Sequence, residues 1–183
     1  LRRGTSGFRP EDRGVEGVLK AHDEARSLLR GLFAGQRLAV LATQDQGQPH
    51  TSLVAFAASE DLRHLVFATP RSTRKYAHLS RDPRVALLID NRSNEEADFQ
   101  HAVAVTAAGT VRDLEDDRRQ ELLALYTARH PGLEAFVRTP TTALLDVAVT
   151  AYFLVTAFQN VLELRVAEWD GWPAPDGSPY GRG

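Results

Sequence analysis

A chain of 183 residues with a 43% hydrophobic and 25% charged share is composed like a globular domain that buries its own core. Its net charge of -2 excludes the broad basic face that non-specific nucleic-acid binding needs, so no nucleic-acid partner is expected. The absence of cysteine excludes disulfides, thiolate metal sites and thiol nucleophiles, and suits a cytoplasmic protein.

In chain order, residues 1–13 are polar and glycine-containing and read as a loose arm; Leu1 to Gly7 lacks the apolar stretch of a signal peptide. Residues 14–168 read as one domain and 169–183 as a tail rich in proline and glycine. Val15, Val18, Leu19, Leu29, Leu32 and Phe33 recur at helical spacing, which predicts a helix stopping at Gly35. Residues 38–43 read as a strand, 45–48 as a turn, and 49–58 as the return strand of a hairpin. A strand from Leu65, a short helix and a strand from Val85 follow. Residues 91–98 are too polar for a core element and read as an exposed or site-lining loop. His101 to Thr106 reads as a strand that bends at Gly109 and continues through Val111 and Arg112. Residues 115–130 form an amphipathic helix pattern broken at Pro131-Gly132, with a short helical piece at 133–137. Residues 144–158 and 161–166 read as two further strands. The longest apolar run, 143–158, is interrupted by Asp146 and threonines, so no membrane span is expected. At least six strands joined by hairpins and short excursions predict a mainly β, α+β fold. The expected form is an antiparallel six-stranded split β-barrel with peripheral helices, because closure removes strand edges.

One stretch carries chemistry. The strand ending at Thr69 runs into Pro70-Arg71-Ser72-Thr73-Arg74-Lys75 and then a short helix, with Ser72 or Thr73 as its N-cap. Arg71, Arg74 and Lys75 put three cations where the helix dipole already favours negative charge. A phosphate reconciles them, since backbone amides, the hydroxyls of Thr69, Ser72 and Thr73, and the three cations can converge on its oxygens. A solvated basic helix start is the competing reading. Lys20 and Lys75 are the only lysines in the chain.

Gly47-Gln48-Pro49-His50-Thr51-Ser52-Leu53-Val54, then Phe67-Ala68-Thr69 with Thr73-Arg74-Lys75, then Asp82-Pro83-Arg84-Val85-Ala86-Leu87, resembles the FMN-binding split-barrel family typified by pyridoxamine 5'-phosphate oxidase. The likeness spans roughly residues 38–112. It implies an FMN-dependent oxidoreductase acting on a small molecule. It also implies a homodimer with the cofactor at the subunit interface. Thr69, Thr73, Arg74 and Lys75 would hold the FMN phosphate, Arg71 and Ser72 would join by proximity, and the strand from Ser52 through Leu53 and Val54 to Ala55 would run beside the flavin ring. Donors to the reduced ring would come from Asn91, Arg92, Ser93, Gln100 or His101. Gln159, Asn160 and Trp169 would reach the ring edge from the neighbouring subunit, or Trp169 would anchor the interface. Two departures argue against pyridoxamine phosphate itself as substrate. Val103 and Ala104 stand where the oxidase carries an Arg-Gln pair. Beyond Trp169, Pro173-Ala174-Pro175-Asp176 replaces the arginine and histidine that grip the vitamin's phosphate. The alternatives on the same fold are haem binding or degradation and an F420-dependent reductase. The six histidines lack metal-site spacing, so no metal is expected. His78 reads as a surface residue and His50 as one that can approach a substrate. No residue is assigned to catalysis.

Overall fold

The computed structural model describes residues 15–114, 118–156 and 160–171. The arm at 1–13, the tail from 172 onward and Gln159 lie outside the described residues. Helix α1 (Val15–Gly35) leads into the hairpin of β1 (Leu38–Asp45) and β2 (Gln48–Ala58). The hairpin closes through Gln46 and Gly47, both at positive φ (51° and 84°), the left-handed pair that a tight two-residue turn requires. Then come β3 (His64–Pro70), α2 (Arg74–Arg81), β4 (Arg84–Asp90), the short α3 (Asp98–His101) and β5 (Val103–Asp113). The chain continues with α4 (Arg118–Arg129), α5 (Glu134–Val137), β6 (Thr142–Thr156) and β7 (Asn160–Arg165).

The strand order is β3-β2-β1-β4-β5-β6-β7, and β3 also pairs with β6. Six antiparallel strands therefore close into a barrel, with β7 appended to β6. This agrees with the expected split barrel. The predicted bend at Gly109 is a bulge within the single strand β5, where the register to β6 shifts between Ala108 and Gly109. A Cβ at Gly109 would collide with the Ala148 carbonyl oxygen, so only glycine lets the two backbones approach there. His101 lies in α3 rather than in a strand. The side chain of Asp98 accepts hydrogen bonds from the backbone N–H groups of Ser93 and Glu95, which folds the polar stretch into a turn before the strand begins.

Residues facing each other across the registers build two surfaces. Leu41, Leu87, Ala107, Tyr152 and Leu164 form one inward row, all buried. Helices plug the two ends. α1 inserts Leu29 and Phe33, the latter edge-on to Phe56 at 5.7 Å. α2 closes the other end with Leu79. A second apolar cluster sits outside the barrel, where Ala57, Val66 and Leu144 meet Leu122, Leu123 and Tyr126 of α4. Trp169, assigned from the sequence to the tail, is 5% exposed and stacks on Tyr152 at 6.0 Å within its own chain. It is therefore a core residue, not an anchor for a neighbouring subunit. Tyr152 was unremarkable in sequence, and nothing there announces their stacking.

Candidate functional site

The split in the barrel lies between β2 and β3. Their ladder runs only from Ala58↔Leu65 to Phe56↔Phe67. Beyond it β2 stays paired with β1 as far as Gln48, while β3 stays paired with β6 as far as Pro70. Residues 48–55 of β2 thus have no strand on their second edge, and that edge flanks the start of α2. Ser52 and Val54 point inward and Leu53 outward at 62% exposure, while Ala55 packs on the cluster under α4. Ser52 Oγ is buried and has no hydrogen-bond partner among the described residues. A buried hydroxyl beside an open strand edge keeps hydrogen-bonding capacity that the described residues do not use.

At the N-terminus of α2, Thr73 is the cap, and its Oγ1 accepts from the backbone N–H of Tyr76 at 3.4 Å. The same hydroxyl donates to the Pro70 carbonyl at 2.8 Å. Thr69 Oγ1, 3.1 Å away, is consequently the donor in the Thr69–Thr73 pair, since Thr73 has no second proton to give. Both threonine protons are committed inside the turn. Of the four amides a helix start leaves open, Thr73 donates to the Pro70 carbonyl at 3.1 Å and Tyr76 to Thr73 Oγ1. The N–H groups of Arg74 and Lys75 remain, with Ser72 exposed beside them. This donor set suits a phosphate: two amides of one turn, a hydroxyl, and a cation.

The three cations do not share one environment. Arg71 is bound to Asp113 and, at 2.5 Å, to the Tyr76 hydroxyl, and its guanidinium lies over the Tyr76 ring. The Asp113 hydrogen bond holds its pKa above the ordinary arginine value. The protein itself thus supplies the counter-ion for Arg71, which corrects the expectation that all three charges wait for a ligand. Arg74 extends to the hairpin side, where it lines a hollow with His50 and His78. Lys75 is half-buried and pairs with no carboxylate among the described residues.

Asn91 and Gln100 are not brought to this cradle. They lie beyond the far end of β4, about 20 Å of strand away from the α2 end. The Asn91 side chain is also occupied, its Oδ1 accepting from the Val103 N–H at 2.7 Å. His78, expected at the surface, is 7% exposed. α2 crosses the barrel mouth, so the face carrying His78 and Leu79 turns inward. His50 and Thr43, missed as a pair with His78, stand opposite each other in the β1–β2 register. Only the pairing of two strands and a helix from different parts of the chain joins them. Among the described residues no three potential ligands cluster around a metal position, and no helix is long and apolar enough to cross a membrane.

No curated protein matches the chain. Among solved structures, a heme binding protein from Mycobacterium smegmatis superposes with a TM-score of 0.71 at 18% identity, over 79% of this chain. The chain spans 59% of that protein's length. A protein related to general stress protein 26, of the pyridoxinephosphate oxidase family, from Clostridium acetobutylicum gives 0.63 at 15% identity. That match covers 80% of this chain and 97% of the other. A FAD-binding protein from Mesorhizobium loti gives 0.57 at 15%, covering 70% and 90%. At these identities the likeness speaks for the fold. The family model described as pyridoxamine 5'-phosphate oxidase matches residues 22–156, taking in the barrel from the middle of α1 to the end of β6. With the split beside α2 and the barrel closure already in place, the chain belongs to the pyridoxamine 5'-phosphate oxidase family.

Proposed function

We propose that the chain is an FMN-binding oxidoreductase that works as a homodimer on a small molecule other than pyridoxamine phosphate. The observation that carries the reading is the cradle. The open N–H groups of Arg74 and Lys75, the Ser72 hydroxyl and the Lys75 ammonium all belong to one helix start beside an unpaired strand edge. When bound, FMN supplies the redox chemistry, taking up or giving an electron pair at its ring. The chain's residues bind and orient it. Lys75 and the two amides neutralise the phosphate, and the edge from Ser52 to Ala55 flanks the ring, with the orphan Ser52 hydroxyl as a polar contact. Thr69 and Thr73 hold the turn that aims those amides. Arg71 braces the same turn through Asp113.

Asn91 and Gln100 reach the ring only from a second copy, because in one chain they stand at the opposite end of the barrel. The outward face of the sheet suits such a copy. Leu53, Val40, Leu88, Thr106 and Phe153 lie in one row across five strands. Beside it runs Thr51, Ala42, Ala86, Ala108 and Ala151. The small residues leave a flat apolar band, and Phe153 at 37% and Leu53 at 62% exposure have no covering element among the described residues. Val103 and Ala104 at the start of β5 offer no charge to a vitamin phosphate, which supports a different substrate.

The test is a spectrum and a titration. Purified protein loaded with FMN is expected to absorb near ~450 nm through the bound flavin and to prefer FMN over riboflavin. Binding of F420 without FMN would replace the reading with a deazaflavin reductase. A Soret band on adding haem, with no flavin bound, would favour a haem protein, the property stated for the Mycobacterium smegmatis neighbour.

A further inference from the structure

A hollow of about 440 Å³ opens between the end of α1, the β2–β3 connection and α4, a volume in the range of small-molecule sites. It lies at the seam of the two apolar clusters. Phe33 and Leu62 belong to the barrel core, Ala57 and Leu125 to the cluster under α4. Ala34, Ala57 and Ala58 present only methyl groups, so the three elements meet without filling the space between them. The wall at Leu62 is fixed. That residue stands at φ 61°, a left-handed conformation that leucine seldom adopts. Its N–H donates to the Ser59 carbonyl oxygen at 3.0 Å, and its own carbonyl oxygen accepts from the Tyr152 hydroxyl at 2.6 Å. Its side chain is 2% exposed.

The rim of the hollow is charged. Arg30 shares a helix face with Phe33 and Ala34, and Arg129 of α4 joins it. Arg129 Nη2 donates to the carbonyl oxygens of Phe33, Ala34 and Gln36 at 2.9, 2.5 and 2.9 Å, which pins the guanidinium at the end of α1. Neither arginine pairs with a carboxylate among the described residues, and Glu60, the one carboxylate in the lining, is exposed. Two positive charges therefore stand against one negative charge around an apolar floor.

We propose that this hollow is a binding site for a carboxylate carried on an apolar body. The body lies between Phe33, Leu62 and Leu125, and the carboxylate meets Arg30 and Arg129. An uncharged body leaves both guanidinium groups to water, and a carboxylate without a body leaves the walls wet, so both halves of the ligand are needed. The hollow adjoins the start of β3 and the phosphate cradle follows its end, about 20 Å of strand away. The two sites are separate, and this one does not rest on the flavin reading.

The experiment is a calorimetric titration of the full chain, with and without FMN, using octanoate and naphthoate. These separate an aliphatic from an aromatic owner of the carboxylate, and their uncharged alcohols and acetate each supply half of the ligand. At least one of the two carboxylates is expected to bind saturably, with the same Kd whether or not FMN is present. It is expected to bind about fivefold more tightly than its alcohol, the most that a partly exposed ion pair contributes. Acetate is expected not to bind. By NMR the methyl resonances of Leu62 and Leu125 are expected to move, while Leu79, under α2 at the other end of the barrel, stays still. Arg30→Gln is expected to erase the preference for the carboxylate over its alcohol. Ala34→Trp, at an exposed helix position, is expected to block both ligands, and the melting temperature is expected to hold in both variants. Absence of binding by either carboxylate, equal affinity for the alcohol, movement of Leu79 alike, or competition with FMN overturns the proposal. A carboxylate that acts by dissociating a dimer also overturns it, because a second copy would then be the occupant.

Discussion

The sharpest separation of the cradle from its surroundings is a paired substitution, Lys75→Ala against Arg71→Ala. Both residues are cations of the same turn, and sequence alone treats them alike. In the structure Arg71 is tied to Asp113 and the Tyr76 hydroxyl, whereas Lys75 pairs with no carboxylate among the described residues. A hydrogen bond to a charged group contributes about 1.5–3 kcal/mol. Removing Lys75 is therefore expected to weaken FMN by roughly 10- to 150-fold at about 1.4 kcal/mol per decade. Riboflavin carries the same ring without the phosphate, and its affinity is expected to change by less than about twofold, since none of that energy is in play. Arg71→Ala removes an ion pair whose side chains are 35% and 22% exposed. Solvent screening limits its cost to about 1 kcal/mol of stability, and the FMN-to-riboflavin ratio is expected to hold. Fluorescence quenching titrations with both ligands on both variants give the four constants, and thermal melts give the stabilities. An unchanged ratio in Lys75→Ala, or a collapsed ratio in Arg71→Ala, refutes the assignment of charges made here.

Three further outcomes are expected. Gly109→Ala places a methyl group against the Ala148 carbonyl oxygen and is expected to cost about 1–3 kcal/mol. At about 2–4 °C per kcal/mol for a domain of this size, that is a readily measured fall in melting temperature; an unshifted melt would show that the bulge tolerates a side chain. Leu88→Glu puts a charge in the middle of the outward apolar row and is expected to shift sedimentation from dimer to monomer, while a dimer that survives it uses another face. Asp146 is fully buried in β6, with His64 Nδ1 at 2.9 Å and Arg112 Nε at 3.3 Å. Burial pushes its carboxyl up, and the His64 hydrogen bond with the charges of His64, Arg112 and Arg118 outweighs this, leaving the pKa below the ordinary carboxylate value. A depressed folded-state pKa contributes stability that is present above the unfolded value of about 3.9 and is lost as the pH falls through the lower folded value. Denaturant midpoints measured from pH 7 down to pH 3 are expected to fall less steeply at the acid end in Asp146→Asn than in the parent. Parallel acid limbs would mean that other carboxylates set the acid sensitivity.

Local patterns were sufficient for the elements and their order, α3 excepted. The hairpin at Gln46-Gly47 follows from turn chemistry, the helix ending at Gly35 from periodicity and a stop signal, and a cap at Ser72 or Thr73, which the structure places at Thr73, from a hydroxyl before a helical turn. These depend on neighbours within a few residues, which a sequence displays directly. The strand content, together with the motif running from Gly47 to Leu87, pointed to a split barrel and to its family.

Contacts across the barrel decided what the patterns left open. Asp113 neutralises Arg71 from a strand 42 residues away, so the crowd of cations is smaller at the cradle than the motif suggests. His78 turns inward because α2 lies across the barrel mouth, an orientation that eight residues of helix do not encode by themselves. Trp169 is core because Tyr152 lies under it. Asn91 and Gln100, which follow the cradle after one helix and one strand, end up a full strand length from it. Charge neutralisation, burial and distance are all properties of pairs, and in this chain the deciding partners are brought together only when β3 meets β6 and the sheet closes on itself.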